Sequence, residues 1–311
     1  MRCSGSFGMS QPAIQSVRDL PLTKECNHWT EISQVPWDLQ KYWQQRYTIF
    51  PYYDDGFHLT HDAWFGVTPE PVAIKIATEM ASTTPPHKRI IIDAFAGVGN
   101  NSIAFASAAE PGDPDKFRWD RVIAIERDTA TLACAQHNAS LYGPEVADRI
   151  TWINGDSFEY LALLRRSSSS SSGGGTCREG PEGADSSSGH SNSLLSEDLA
   201  VDVASTVIFA SPPWGGPGYS TDEVFDLSGM EPYNLAQLHE AYKIMDHALY
   251  LPRTSDLRQI AQLAPTTSAD DVSEDGVRKK VDVAQYCVHG ASKALVAYIP
   301  ASPAAAPDGS I

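Results

Sequence analysis

The sequence predicts an α/β fold built on a mostly parallel sheet with an antiparallel pair at one edge. Three observations predict it. Short β-branched apolar runs alternate with stretches of helical period between residues 68 and 264, the order of strands joined by crossover helices. The first of these strands leads directly into Gly97-Val98-Gly99 and then into a helical stretch, an arrangement that lets a ligand approach the backbone at a helix N-terminus. The chain closes with Val281–Val288 and Lys293–Pro300 joined by His289-Gly290-Ala291-Ser292, which reads as a hairpin and so as a reversed edge.

Each element follows from local pattern. Residues 1–34 are polar and without period, and read as a disordered N-terminal segment. Leu39, Trp43, Tyr47 and Phe50 fall near helical spacing, predicting a short helix from Trp37 to Thr48, and Asp54-Asp55-Gly56 reads as a turn. His58, His61 and Asp62 lie close together, but a loop with no further ligand does not close a metal site. Thr68 suits an N-cap, Pro69 a first helical turn and Glu70 the positive end of the dipole, so a helix is expected to about Met80. Arg89–Asp93 reads as a strand and Ser102–Ala108 as a helix. Residues 111–120 read as a loop, Arg121–Glu126 as a strand, Thr129–Leu141 as a helix capped by Asp128, and Ile150–Asn154 as a strand. Residues 165–197 are Ser/Gly-rich and cannot offset their ordering entropy by burial, so they read as a disordered insertion. Thr206–Ala210 is a buried strand, Leu235–Met245 a helix, His247–Leu251 a strand and Asp256–Ala264 a helix. The expected organisation is therefore a small helical extension at 35–67, a main domain at 68–300 interrupted by the insertion, and a tail at 301–311.

The residues after the strands carry the chemistry. Ser211-Pro212-Pro213-Trp214 follows a buried strand directly, so two restricted residues hold an indole and nearby carbonyls at the sheet's carboxyl edge, where open α/β sheets bind ligands. The glycines from Gly215 on let the chain turn away. Asp93 ends one strand, and a carboxylate there suits a ligand bearing a cation, such as the amino-acid end of S-adenosylmethionine. Glu126 ends the next and can accept ribose hydroxyls. Asp156 and Ser157, after Asn154-Gly155, can meet an adenine edge. The third glycine of a dinucleotide fingerprint is absent, which disfavours a nicotinamide oxidoreductase.

Composition narrows the partners. A net charge of −16 argues against binding along a nucleic-acid backbone and leaves recognition of a small piece of one in a pocket. Five scattered cysteines without a C-x-x-C suggest a reduced, intracellular chain without a zinc site, and no apolar run approaches membrane-spanning length.

Taken in order, Lys41-Tyr42-Trp43-x-x-Arg46-Tyr47, Asp54-Asp55-Gly56, Trp64-Phe65-x-Val67-Thr68-Pro69-Glu70, Asp93-x-Phe95-x-Gly97-Val98-Gly99-x-Asn101, Ser211 to Tyr219 and Leu251-Pro252-Arg253 resemble the class I S-adenosylmethionine-dependent methyltransferases, with their Rossmann-like fold. Within them the chain is similar to the trimethylguanosine synthase family of RNA cap guanine-N2 methyltransferases, over about residues 41–300. The resemblance implies two methyl transfers to the N2 amine of a 7-methylguanosine cap, with S-adenosylmethionine as donor. It implies that Thr68, Asp93, Gly97, Gly99, Glu126, Asp156 and Ser157 face the donor. Trp214 would stack on the methylated guanine with Ser211 and the Pro212 carbonyl near its amine as the catalytic group, Tyr219 would line the pocket, and Lys41 and Arg253 would hold the cap phosphates. It further implies capped small nuclear and nucleolar RNAs as substrates, ribonucleoprotein partners, a monomer, a nuclear and nucleolar place, and neither metal nor membrane. Departures are Ala96 or Asn100 where the family has glycine or cysteine, Glu126 in place of aspartate, and Thr254 in place of an asparagine. The alternatives are methylation of adenine N6 or of protein glutamine, where Asn or Asp precedes the two prolines, and a cap-binding module without catalysis.

Overall fold

The computed structural model describes residues 14–171, 195–215, 223–265, 280–288 and 290–302. Its centre is a seven-stranded sheet. Among the described residues the strands in chain order are β1 (Ile90–Asp93), β2 (Ala109–Glu110), β3 (Asp113–Phe117), β4 (Arg121–Glu126), β5 (Ile150–Asn154), β6 (Thr206–Ala210), β7 (Asp246–Pro252), β8 (Asp282–Val288) and β9 (Ala291–Ile299). The sheet runs β5-β4-β1-β6-β7-β9-β8, while β2 and β3 form a separate hairpin. Pairs from β5 to β7 are parallel, and β9 is antiparallel to both β7 and β8. The predicted fold, parallel sheet with a reversed edge, is the observed one.

Ten helices accompany the strands among the described residues: α1 (Gln40–Trp43), α2 (Arg46–Ile49), α3 (Ala63–Gly66), α4 (Glu70–Thr83), α5 (Asn100–Ser107), α6 (Thr129–Ser140), α7 (Pro144–Ala147), α8 (Ser157–Ser171), α9 (Leu235–Tyr242) and α10 (Leu257–Ala261). Side chains of the central strands alternate between two cores. Ile91, Val122 and Val207 meet Val72, Ile76 and Leu132 from α4 and α6, while Ile92, Ile123 and Ile208 meet Leu161, Leu164 and Leu238 from α8 and α9. Burial on both faces explains why these strands read as unbroken apolar runs.

Several expectations need correction. The segment read as disordered at 1–34 is placed from Ile14 onward. Ser16 bridges Ile153, the Val17 amide donates to the Trp152 carbonyl at 2.8 Å, and Asn27 pairs with Leu59. These are backbone pairings made over long sequence distances, which no local period announces. The single helix expected from Trp37 to Thr48 is two one-turn helices, α1 and α2, broken at Gln45 (φ −97°, ψ 10°). The break brings Trp43, Ile49 and Phe50 into one core with Tyr53, Phe57 and Trp64.

Thr68 does not cap α4. The flanking residue is Pro69, without a side-chain cap, because the Thr68 hydroxyl is taken by Asn101 Nδ2 at 3.1 Å and its carbonyl by Asn100 Nδ2 at 2.8 Å. The loop at 111–120 contains β3, whose residues are almost all exposed and so carry no apolar pattern; Gly112 (φ 85°) makes its turn. The insertion does not begin at 165, since α8 continues to Ser171, and the chain is placed again at Leu195, which is buried. Leu199 is buried too, and its carbonyl accepts the Tyr160 hydroxyl at 2.8 Å. At the other end, the Ala301 amide donates to Asp246 and that of Ser302 to the Lys243 carbonyl, which fixes the start of the expected tail. Residues 172–194 and 303–311 lie outside the described residues.

Candidate active site

The sheet register brings the predicted strand ends together. Asp93 pairs with Ala124 on one side and Phe209 on the other, and Glu126 pairs with Asn154. The strand order reverses at β1, so the loops after β1 and β6 diverge and leave a crevice at the carboxyl edge. There a cavity of about 970 Å³ opens. Its walls come from the glycine turn after β1, from Glu126 to Asp128, from Gly155 to Ser157 and from Ser211 to Trp214, with Thr68 and Asn27 closing it from the N-terminal side.

The turn after β1 needs its glycines. Gly97 (φ 54°) and Gly99 (φ 96°) occupy the left-handed region, and a Cβ on Gly99 would stand 3.3 Å from Ala135. The Gly97 amide donates to Glu126 Oε2 at 3.0 Å and the Asp128 amide to Oε1 at 2.8 Å, so the β4 acid is locked to the turn. Burial lifts Glu126 above the usual carboxylate range, against those two amides.

Asp93 is fully buried just behind the cavity wall formed by Ala94 and its successors. Ser102 Oγ donates to its Oδ2 at 2.6 Å, while Oδ1 has no hydrogen-bond partner. Burial, reinforced by the charge of Glu126, pushes its pKa up to about 7. Asn100 Oδ1 and Asn101 Oδ1 are likewise buried without partners, on the walls of the same cavity. Buried acceptors left unpaired around a glycine turn fit a ligand that brings N–H donors and positive charge. S-adenosylmethionine has both, so the residues fit that donor. Asp156 accepts the Phe158 amide on Oδ1 at 2.8 Å and the Tyr233 hydroxyl on Oδ2 at 2.6 Å.

Trp214 lies at the opposite wall, partly exposed. Its Nε1 donates to the Tyr250 carbonyl at 3.2 Å and its ring stacks on that of Tyr250, centroids 5.6 Å apart at 21°. Two different contacts thus fix the indole plane, and Pro212, two residues earlier, is buried.

The structure therefore brings Thr68, Asp93, Gly97, Glu126, Asp156, Ser157, Ser211, Pro212 and Trp214 to one cavity or its immediate backing. Gly99 shapes the turn from behind. Lys41 on α1 and Arg253 after β7 are exposed and do not line the cavity; Tyr219 lies outside the described residues. Sequence reasoning missed Tyr233, which stacks on Phe158 at 4.3 Å and holds Asp156, and also Lys24 and His61, both on the walls. Tyr233 and Lys24 sit in no periodic element, so no pattern singled them out, while His61 stood out only beside His58 and Asp62 as a metal candidate that did not close. Among the described residues no cluster of His, Cys, Asp or Glu could hold a metal ion, and no helix is long and apolar enough to cross a membrane.

Comparison with known proteins gives the same direction. A family model described as RNA cap guanine-N2 methyltransferase matches residues 88–302. The chain is 31% identical over 266 residues to trimethylguanosine synthase of Schizosaccharomyces pombe, covering 85% of this chain and 87% of that one. It is 27% identical over 228 residues to trimethylguanosine synthase of Saccharomyces cerevisiae, covering 72% of this chain and 58% of that one. Among solved structures, a putative methyltransferase from Porphyromonas gingivalis W83 is similar at a TM-score of 0.48 and 15% identity, covering 87% of this chain and 52% of that one.

Proposed function

The chain belongs to the RNA cap guanine-N2 methyltransferase family, an S-adenosylmethionine-dependent enzyme acting on capped RNA, and on that premise we propose how its residues divide the work. The observation that carries the reading is the placing of Ser211–Trp214 on the same cavity as the glycine turn of β1 and the acid of β4.

When bound, the donor supplies an already activated sulfonium methyl. Asp93 sets the negative field for its cationic end, Glu126 takes its ribose, and Asp156 with Ser157 takes its base. Trp214 stacks on 7-methylguanine, whose delocalised positive charge is attracted to an indole face by ~0.5–2 kcal/mol. At about 1.4 kcal/mol per decade, that is up to roughly thirtyfold over plain guanine. The Tyr250 contacts keep the indole plane fixed before substrate arrives, so little ordering is lost on binding. Ser211 and the Pro212 carbonyl accept from the exocyclic amine and aim its lone pair at the methyl. Alignment of this kind lowers a barrier by up to about 7–11 kcal/mol. As the nitrogen gains the methyl it gives up a proton to water. Lys41 and Arg253 hold the cap phosphates and Tyr219 lines the guanine site; a second round gives the 2,2,7-trimethyl product.

The reading extends to capped small nuclear and nucleolar RNAs, to a nuclear and nucleolar place of action, and to a monomer recruited by ribonucleoprotein partners. Mass analysis of the base after reaction with a 7-methylguanosine cap tests it. One and then two added methyl groups are expected; an unmodified cap, or methyl groups on adenine, refutes it.

A further inference from the structure

Trp37 is 86% exposed, more than any other large apolar side chain among the described residues. It stands at the entry of α1, in a tight turn where the Leu39 amide donates to the Pro36 carbonyl at 2.9 Å and that of Gln40 to the Trp37 carbonyl at 3.4 Å. Residues 37–43, the turn leading into α1 and α1 itself, have their side chains in different surroundings. Leu39 and Trp43 enter the N-terminal core. Asp38 and Tyr42 face the rim of the active-site cavity: Asp38 bonds His61 Nε2 at 3.1 Å, and Tyr42 packs edge-on against Phe65 at 5.2 Å, both partners being wall residues. Trp37 and Lys41, four residues apart, are both exposed. Lys41 Nζ lies 4.7 Å from the centre of the Tyr42 ring, so the ammonium sits beside the rim that Tyr42 faces.

A cation beside the cavity rim and an exposed aromatic plate four residues from it in sequence are what a nucleotide leaving that cavity would meet. Its phosphates pass the ammonium and its base finds a stacking face. We propose that Trp37 is the stacking platform for the base of the first nucleotide after the cap, with Lys41 on the phosphates between. This rests on the cap-methyltransferase reading above. The net charge of −16 fits such a limited contact, since a chain this acidic is poorly suited to follow a long RNA backbone. Because every base has a π face, the platform selects for the presence of a nucleotide rather than its identity.

The test compares initial rates of the full chain on 7-methylguanosine triphosphate and on a 7-methylguanosine-capped dinucleotide. The wild-type KM for the dinucleotide is expected to be about 5- to 100-fold lower, the range of base–aromatic stacking. Trp37→Ala collapses the ratio of the two KM values toward one through the dinucleotide KM, with kcat on the dinucleotide kept. Trp37→Tyr restores most of the ratio, and matched melting curves show that both variants fold. Equal KM values in the wild type, or equal shifts on both substrates in Trp37→Ala, overturn the platform while leaving the cap reading intact. An unchanged ratio together with loss of a bound protein partner also overturns it, and assigns the indole to a protein contact. A wild-type enzyme silent on both substrates defeats the cap reading itself, and the platform with it.

Discussion

Donor affinity is expected to depend on pH through Asp93. In the ligand-free protein burial holds this carboxyl at about 7, so it is largely protonated at pH 6 and largely ionised at pH 7.5. A ligand carrying an ammonium in the neighbouring cavity favours the ionised form. If the bound state keeps Asp93 ionised throughout, the apparent dissociation constant scales as 1 + 10^(7−pH). From pH 7.5 to 6 that factor rises about eightfold, or about 1.2 kcal/mol. The sign is fixed: affinity falls as pH falls through 7. Above about pH 8 the ligand's own α-amino group loses its proton, so the comparison stays below that point. Calorimetric titration with S-adenosylhomocysteine, which keeps the amino-acid end but is not turned over, measures it. Two other groups near the cavity are also raised: Glu126 by burial, and His61 by its hydrogen bond to Asp62 and then by Asp38. Asp93→Asn separates them, because it removes only the Asp93 contribution. A flat profile between pH 6 and 7.5, or the same slope in Asp93→Asn, would refute the assigned role.

Three further outcomes are expected. Trp214→Ala lowers cap methylation by up to roughly thirtyfold through the lost attraction of ~0.5–2 kcal/mol, and further through lost alignment of the guanine, while changing S-adenosylhomocysteine affinity less than about threefold; filter binding and turnover assays check both. Gly99→Ala, forced to keep a φ of 96° with its Cβ 3.3 Å from Ala135, costs about 1–3 kcal/mol and weakens donor binding, read by chemical denaturation and by titration. Arg118→Met removes a buried guanidinium that donates to the carbonyls of Ala81, Thr84, Pro85 and Lys88. Four stranded acceptors destabilise the link between α4 and β1 by about 3–5 kcal/mol, seen as a lower melting temperature with unaltered donor contacts.

The parts of this molecule legible in its sequence are those set by local rules. β1 and β4 are apolar on both faces and end in an acid, and β6 runs straight into a polar residue, so Asp93, Glu126 and Ser211 could be placed at one edge from the sequence. Asp128 could be recognised as a cap because its carboxylate takes the Thr131 amide at 2.7 Å within its own helix. Thr68 looked the same and was not a cap, because Asn101, 33 residues away, claims its hydroxyl. Local and long-range demands on one side chain cannot be separated by inspection of neighbours. Tyr233 was illegible for a related reason: its role exists only through Asp156, 77 residues earlier. The residues proposed for the cap phosphates were legible only by resemblance, and their exposure shows why. Lys41 and Arg253 have no geometric tie to the cavity walls that spacing alone would reveal.

The strap at residues 14–27 has a second consequence. Its pairing of Ser16 with Ile153 lays backbone against β5, which would otherwise present a bare strand margin to other copies of the chain. The same few residues then run on to Lys24, Glu25 and Asn27, which wall the cavity. Shielding against self-association and shaping of the catalytic chamber are therefore carried by one short ribbon. A protein trimmed to begin at residue 35 would lose both together, becoming sticky and poorly active at once.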